Sequence, residues 1–165
     1  MLSPTAVSPL EDTTMVALAT FLQSHLNNAY LGTSSLTEQA GGQTPVVAGI
    51  RAHNTFLNVT DEFPLLMVYR TDSKGAGLLT SEAIAAYYLP SYAECDRTPG
   101  IFRWVELEIA RALSGIRGCC PESPHILLNG LQALRSEYRF FATDNGVFPL
   151  LRVFFSFTEI LGGQP

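Results

Sequence analysis

The sequence predicts an α+β domain, a mostly antiparallel β-sheet with two main helices packed on one face. Three features predict it. Two segments carry apolar residues at helical spacing behind a hydroxyl residue and a proline. Several other segments alternate with a period of two, and the elements follow in the order helix, strands, helix, strand pair.

The first helix is expected over about 9–28. Ser8 caps it, Pro9 supplies a helix-ready φ, Glu11 completes a capping box, and Met15, Leu18, Leu22 and Leu26 form the apolar stripe. Segment 30–45 is rich in Gly and hydroxyl residues, with one charge and no periodicity, and reads as a flexible loop or arm. Val46 to Ile50 and Thr55 to Val59 are weak strand candidates. Phe63 to Thr71 and Thr80 to Leu89 are better ones, joined as a hairpin through 72–77. Thr98 and Pro99 start a second helix that reaches about Ile116. At about 100° per residue, Ile101, Phe102, Val105, Ile109, Ala112, Leu113 and Ile116 share its inner face, while Trp104 and Leu107 fall on or beside the polar one. Ser123 and Pro124 open a short third helix through Leu134. Arg135, Glu137 and Arg139 then alternate with Ser136, Tyr138 and Phe140 as a half-buried strand. After a turn at Asp144, Asn145 and Gly146, a last strand from Phe148 to Ile160 puts Leu151, Val153, Phe155 and Phe157 on one face. Arg152, Phe154, Ser156 and Thr158 lie on the other.

With 165 residues and no internal repeat or linker, the chain reads as a single domain over 1–165. Hydrophobic residues make up 47% and charged ones only 15%, against about 25% in an ordinary soluble domain. That balance excludes a disordered chain, and no apolar run reaches the length of a membrane span. Nine of the ten basic residues are Arg, which is favoured at interfaces, and the only Lys is Lys74. A net charge of -5 argues against a nucleic-acid groove or an anionic membrane surface. The expected partners are proteins, with Lys74 on a loop and the arginines mostly at contacts. No secretory signal is readable at the N-terminus, so synthesis in a cytoplasm is expected.

Known chemical motifs are missing. Neither a Gly-x-Ser-x-Gly elbow nor a phosphate loop occurs, and Lys74 precedes its glycines rather than following them. Cys95, Cys119 and Cys120 lack metal spacing, and His25, His53 and His125 are isolated. A Cys95 nucleophile with His125 as base is the one thiol-hydrolase arrangement available, but Glu94 and Asp96 beside Cys95 oppose the thiolate. Glu108 and Arg111 are expected to form a helix-surface pair. The reading is of a protein that is not an enzyme and takes no metal or cofactor.

Three stretches together resemble the tail terminator proteins of long-tailed bacteriophages, the lambda-type minor tail protein U group. They are Phe63 to Thr71 with its Phe-Pro step; Glu82 to Pro90, followed by an acidic loop and the helix with Trp104 and Glu108; and Tyr138 to Phe140, with the Asp144 to Gly146 turn and the closing strand. With the first helix, the similar order covers most of residues 9–160. The chain departs from the pattern in the longer segment 32–45 and the insertion Cys119 to Pro124. The resemblance implies a virion subunit, assembled in the host cytoplasm, that forms a homohexameric ring at the tail-neck junction. Its partners would be its own copies, the tail tube protein, a sheath where one exists, and a neck or head-tail connector protein. DNA would pass through the ring without sequence-specific contact. A neck or head-completion subunit of similar build is the alternative.

The candidate contact residues form three groups. Trp104, Leu107 and Arg111 make a helix-side patch, with Trp104 either a sheltered edge residue or an anchor for a neighbour. Arg135, Glu137, Arg139, Arg152 and Phe154 line the less apolar sheet face, and Asp72, Ser73, Lys74 and Gly75 form a loop that reaches outward.

Overall fold

A computed structural model describes residues 12–31, 46–54, 57, 61–75, 78–89, 98–116, 118–120, 123–143 and 146–160. Helix α1 is Thr13–Leu31 and α2 is Thr98–Gly115; the strands are β1 Gly49–Arg51, β2 Leu65–Lys74, β3 Leu78–Tyr88, β4 Gly118–Cys120, β5 Ser123–Thr143 and β6 Gly146–Ile160. They form a six-stranded sheet in the order β1-β2-β3-β6-β5-β4. Only β1 with β2 is parallel. The expected α+β class is the one observed, with both helices on one face.

That arrangement follows from the two apolar periodicities meeting. Met15, Leu18, Leu22 and Leu26 of α1 are fully buried, as are Val105 and Ile109 of α2. They pack with Leu66, Val68, Ala83, Ala85, Tyr87, Leu151, Val153, Phe155 and Phe157 of the sheet in one continuous core. Asn27 fastens the chain leading into β1 to the helix: its amide donates to Val47 O at 3.0 Å and accepts from Val47 N at 2.8 Å. Tyr87 Oη donates to Val46 O at 2.8 Å. Burial pushes the Tyr87 hydroxyl well above the usual tyrosine range, so it stays a neutral donor.

The N-terminal end of α1 is tied to the sheet by charge. Asp12 is the N-cap, accepting from Met15 N at 3.3 Å, and it also receives Arg70 Nε at 2.8 Å. Arg70 reaches Glu159 at 3.1 Å, and buried Glu159 accepts from Thr14 Oγ1. Burial alone would lower the Arg70 pKa, but the hydrogen bonds to Asp12 and Glu159 outweigh it and raise it. The capping box expected at Ser8 and Glu11 lies outside the described residues. The helix begins later, at Thr13, because Asp12 supplies both a cap and a partner for Arg70.

Other expectations need correction. The helix opened at Ser123 does not exist: 123–143 is one 21-residue strand. Leu and Ala there favour helix, but β6 offers a backbone ladder on which Leu127 lies opposite Ile160 and Ala133 opposite Phe155. Gly130, costly inside a helix, instead falls where the β5–β6 register shifts. The first strand is shorter than expected, Gly49–Arg51. Leu57 is buried outside any strand, and the rest of the 55–59 candidate lies outside the described residues apart from it. α1 continues through Tyr30 and Leu31, past its expected end near 28, and residues 32–45 are outside the described set. Finally, Asp72, Ser73 and Lys74 belong to β2, with Lys74 opposite Thr80, so Lys74 ends a strand rather than sitting on a loop. Gly75, at φ 115°, is where the chain leaves the strand, in a conformation that suits glycine.

Candidate interaction surface

The outer face of the sheet, opposite the helices, is divided in two. Near β1, Leu57, Leu65, Met67, Ile84, Ala86, Tyr88, Phe148 and Leu150 form a second apolar cluster. Phe63 stacks on Phe148 with ring centres 5.0 Å apart, and Phe141 meets Tyr88 edge-on at 6.3 Å. Burial pushes the Tyr88 hydroxyl up to about 12.

The other half carries charge. Strand register sets Arg135 opposite Phe154, Glu137 opposite Arg152 and Arg139 opposite Leu150, so the period-two alternation delivers these side chains to one face. All five residues of the expected sheet-face group come together. Glu137 receives Arg139 Nε at 2.8 Å and Arg152 Nη2 at 2.9 Å, with Arg135 Nη1 at 3.7 Å. The Arg135 guanidinium lies 3.7 Å from the Phe154 ring centre, and that of Arg152 lies at 5.7 Å. The hydrogen bond from Arg139, helped by the charges of Arg152 and Arg135, holds the Glu137 carboxyl below the usual range despite some desolvation. Three cations around one anion leave this patch positive on a molecule of net charge -5.

The helix-side group separates. Trp104 is partly buried, packed against the main core with its ring edge-on to Tyr30 at 5.7 Å. Leu107 is 47% exposed. Arg111 pairs with Glu108 at 2.7 Å, but Glu108 is buried and also meets His25 Nε2 at 3.0 Å. The expected Glu108–Arg111 pair within α2 is therefore present, and it is the His25–Glu108 contact that ties the two helices together. The Asp72 to Gly75 group stands at the turn end of the β2–β3 hairpin. There Asp72 and Lys74 share the outer face with the arginine patch.

Sequence reasoning missed Tyr138 and Phe140, which are 51% and 68% exposed on the helix side of β5. Tyr138 packs on Phe102 and donates to Glu106 at 2.6 Å. Burial pushes Glu106 up, but the hydrogen bonds from Tyr138 and Ser136 and the charge of Arg103 outweigh it, so its pKa falls. The alternation had marked both residues as inward, and they do lie on the helix side.

Among the described residues no group of three or more His, Cys, Asp or Glu side chains is arranged to hold a metal ion. The Cys95 and His125 pairing cannot be placed, since Cys95 lies outside the described residues. A cleft of about 320 Å³ between α1 and β1 is lined by Asp12, Ile50, Arg51 and His53. Its charged members are engaged elsewhere, Asp12 with Arg70 and Arg51 with Asp61. No described helix is long and apolar enough to cross a membrane.

Neither protein-family models nor curated proteins match this chain. Among solved structures it is similar to a chain of the "Virion of native gene transfer agent (GTA) particle", at 16% identity over 87% of this chain and 98% of that one, with a TM-score of 0.36. A likeness of that size decides neither fold nor role.

Proposed function

We propose that this chain is a non-enzymatic structural subunit of a phage-like virion. In the finer reading it is a tail terminator, a homohexameric ring on the head-proximal end of the tail tube. There it stops polymerisation and presents its free surface to a neck or connector protein. The observation that carries this reading is the open half of the outer sheet face, where Arg135, Arg139 and Arg152 converge on Glu137 and Phe154. Arginine stacked on an aromatic ring and already fixed by a carboxylate has little side-chain freedom left to lose on binding, which is how interface centres are composed. The order of elements that resembles the tail terminators supports the same reading.

Electron microscopy of the purified protein tests the architecture, with a six-fold ring expected. Loss of the protein from its virion should give overlong, headless tails. Normal-length tails that fail to join heads would instead make it a neck protein. A protein that stays monomeric by light scattering at every accessible concentration, and does not cap tail tubes, overturns the proposal.

A further inference from the structure

The sheet ends in two strands that are only partly covered. On one side β4 pairs with β5 at Ser123, Leu127 and Leu128, so among the described residues 129–143 have no strand on that edge. On the other side β1 pairs with β2 at Leu65, Leu66 and Met67, leaving 68–74 without a strand among the described residues. Proteins usually blunt such edges with short strands, Pro or Lys. From Arg135 to Thr143, β5 has neither Pro nor Lys, pairs with β6 in unbroken register, and exposes Tyr138 and Phe140.

We propose that these edges are the two halves of one joint: a second copy of this chain lays the distal part of its β2 antiparallel along β5. The pairing sets Arg139 opposite Asp72 and Glu137 opposite Lys74. Three observations carry it. Strands β2, β3, β6 and β5 alternate in direction, so a copy that continues the sheet meets β5 antiparallel. Asp72 and Lys74 share the outer face with Glu137 and Arg139, because Asp72 lies opposite Glu82 and Lys74 opposite Thr80 on β3. Each pair is two residues apart, so running the strands in opposite directions matches both charges in one register, and opposite charges facing across strands attract. In the same register β1 of the incoming copy falls beyond the end of β5 and does not obstruct it. The joint joins unlike edges, so it propagates from copy to copy, as the contacts of a ring do. It deepens the ring reading above and rests on it for the number of copies.

The test is charge reversal on the full chain, read by light scattering and native mass spectrometry. Lys74 is 82% exposed and pairs only loosely with Asp72, at 4.0 Å, so Lys74→Glu spares the fold. Replacing attraction by repulsion across the strands should raise the half-assembly concentration by about tenfold. Asp72→Arg should do the same, and adding Arg139→Asp to it should restore assembly, with circular dichroism confirming folded protein in each case. Rings that tolerate both Lys74→Glu and Asp72→Arg overturn the joint but leave the ring reading standing. So does a defect from Arg139→Asp that Asp72→Arg cannot rescue, the result expected if β5 paired with β5. A wild-type chain that never leaves the monomer overturns both.

Discussion

Glu137 is the residue on which the outer patch turns, since Arg135, Arg139 and Arg152 all converge on its carboxylate. Its pKa is depressed below the ordinary 4.5, first by the hydrogen bond from Arg139. A carboxyl lowered in the folded state contributes stability that is present above its ordinary pKa and lost as pH falls through the lowered one. The cluster should therefore stay closed at neutral pH and open only in acid below 4.5. A carboxyl-carbon NMR titration should place the Glu137 midpoint below that value, and Arg139→Gln should move it back up. A midpoint unaffected by Arg139→Gln would mean that the Arg139 contact does not set it. The residue scale also shows what was readable beforehand. Alternation alone put Arg135, Glu137, Arg139, Arg152 and Phe154 on one surface. Nothing in the sequence said that one carboxylate would gather three guanidinium groups, because that depends on the register between β5 and β6.

At the scale of elements, α2 carries two large side chains that sequence treats alike and the structure does not. Trp104 closes against Tyr30 and the core, whereas Leu107 projects into the open. Trp104→Ala should therefore cost folding stability, about 2–3 kcal/mol, somewhat less than full truncation of a buried Trp because the ring is only partly enclosed. Leu107→Ser should change unfolding by no more than about 0.5 kcal/mol, as exposed substitutions do. Urea unfolding of both variants separates the two roles, and a Leu107→Ser protein as unstable as Trp104→Ala would contradict the assignment. Legibility follows the same line. The stripes of α1 and α2 and the inner face of β6 were readable because each is one clean period repeated. The start of β5 was not: Leu127, Leu128, Leu131 and Leu134 fit a helix as well as a buried strand, and the choice was made by the open ladder of β6. In α1 the start at Thr13 rests on Asp12, whose remote partner Arg70 no local pattern contains.

At the scale of the whole molecule, the scarcity of charge takes a specific form. Of the arginines in the described residues, Arg70 is tied into α1 and β6, and Arg135, Arg139 and Arg152 are concentrated on one half of a sheet face. The subunit's own cohesion is apolar, centred on Leu18, Leu22, Leu26, Tyr87, Ile109 and Phe155, all fully buried. Folding and assembly should then respond differently to salt. Screening shortens the reach of exposed charges from about 10 Å at 0.1 M to about 3 Å at 1 M, while buried apolar contacts are not weakened. If copies join through Arg139 with Asp72 and Glu137 with Lys74, raising sodium chloride over that range should shift the assembly equilibrium toward single subunits. The thermal midpoint of the dissociated subunit should hold or rise. Sedimentation velocity at the two salt concentrations, beside melting followed by circular dichroism, separates the effects. Assembly that strengthens with salt would assign the joint to the exposed apolar groups instead, Leu107 on α2 and Phe140 on β5, and leave the charges as steering for first encounter.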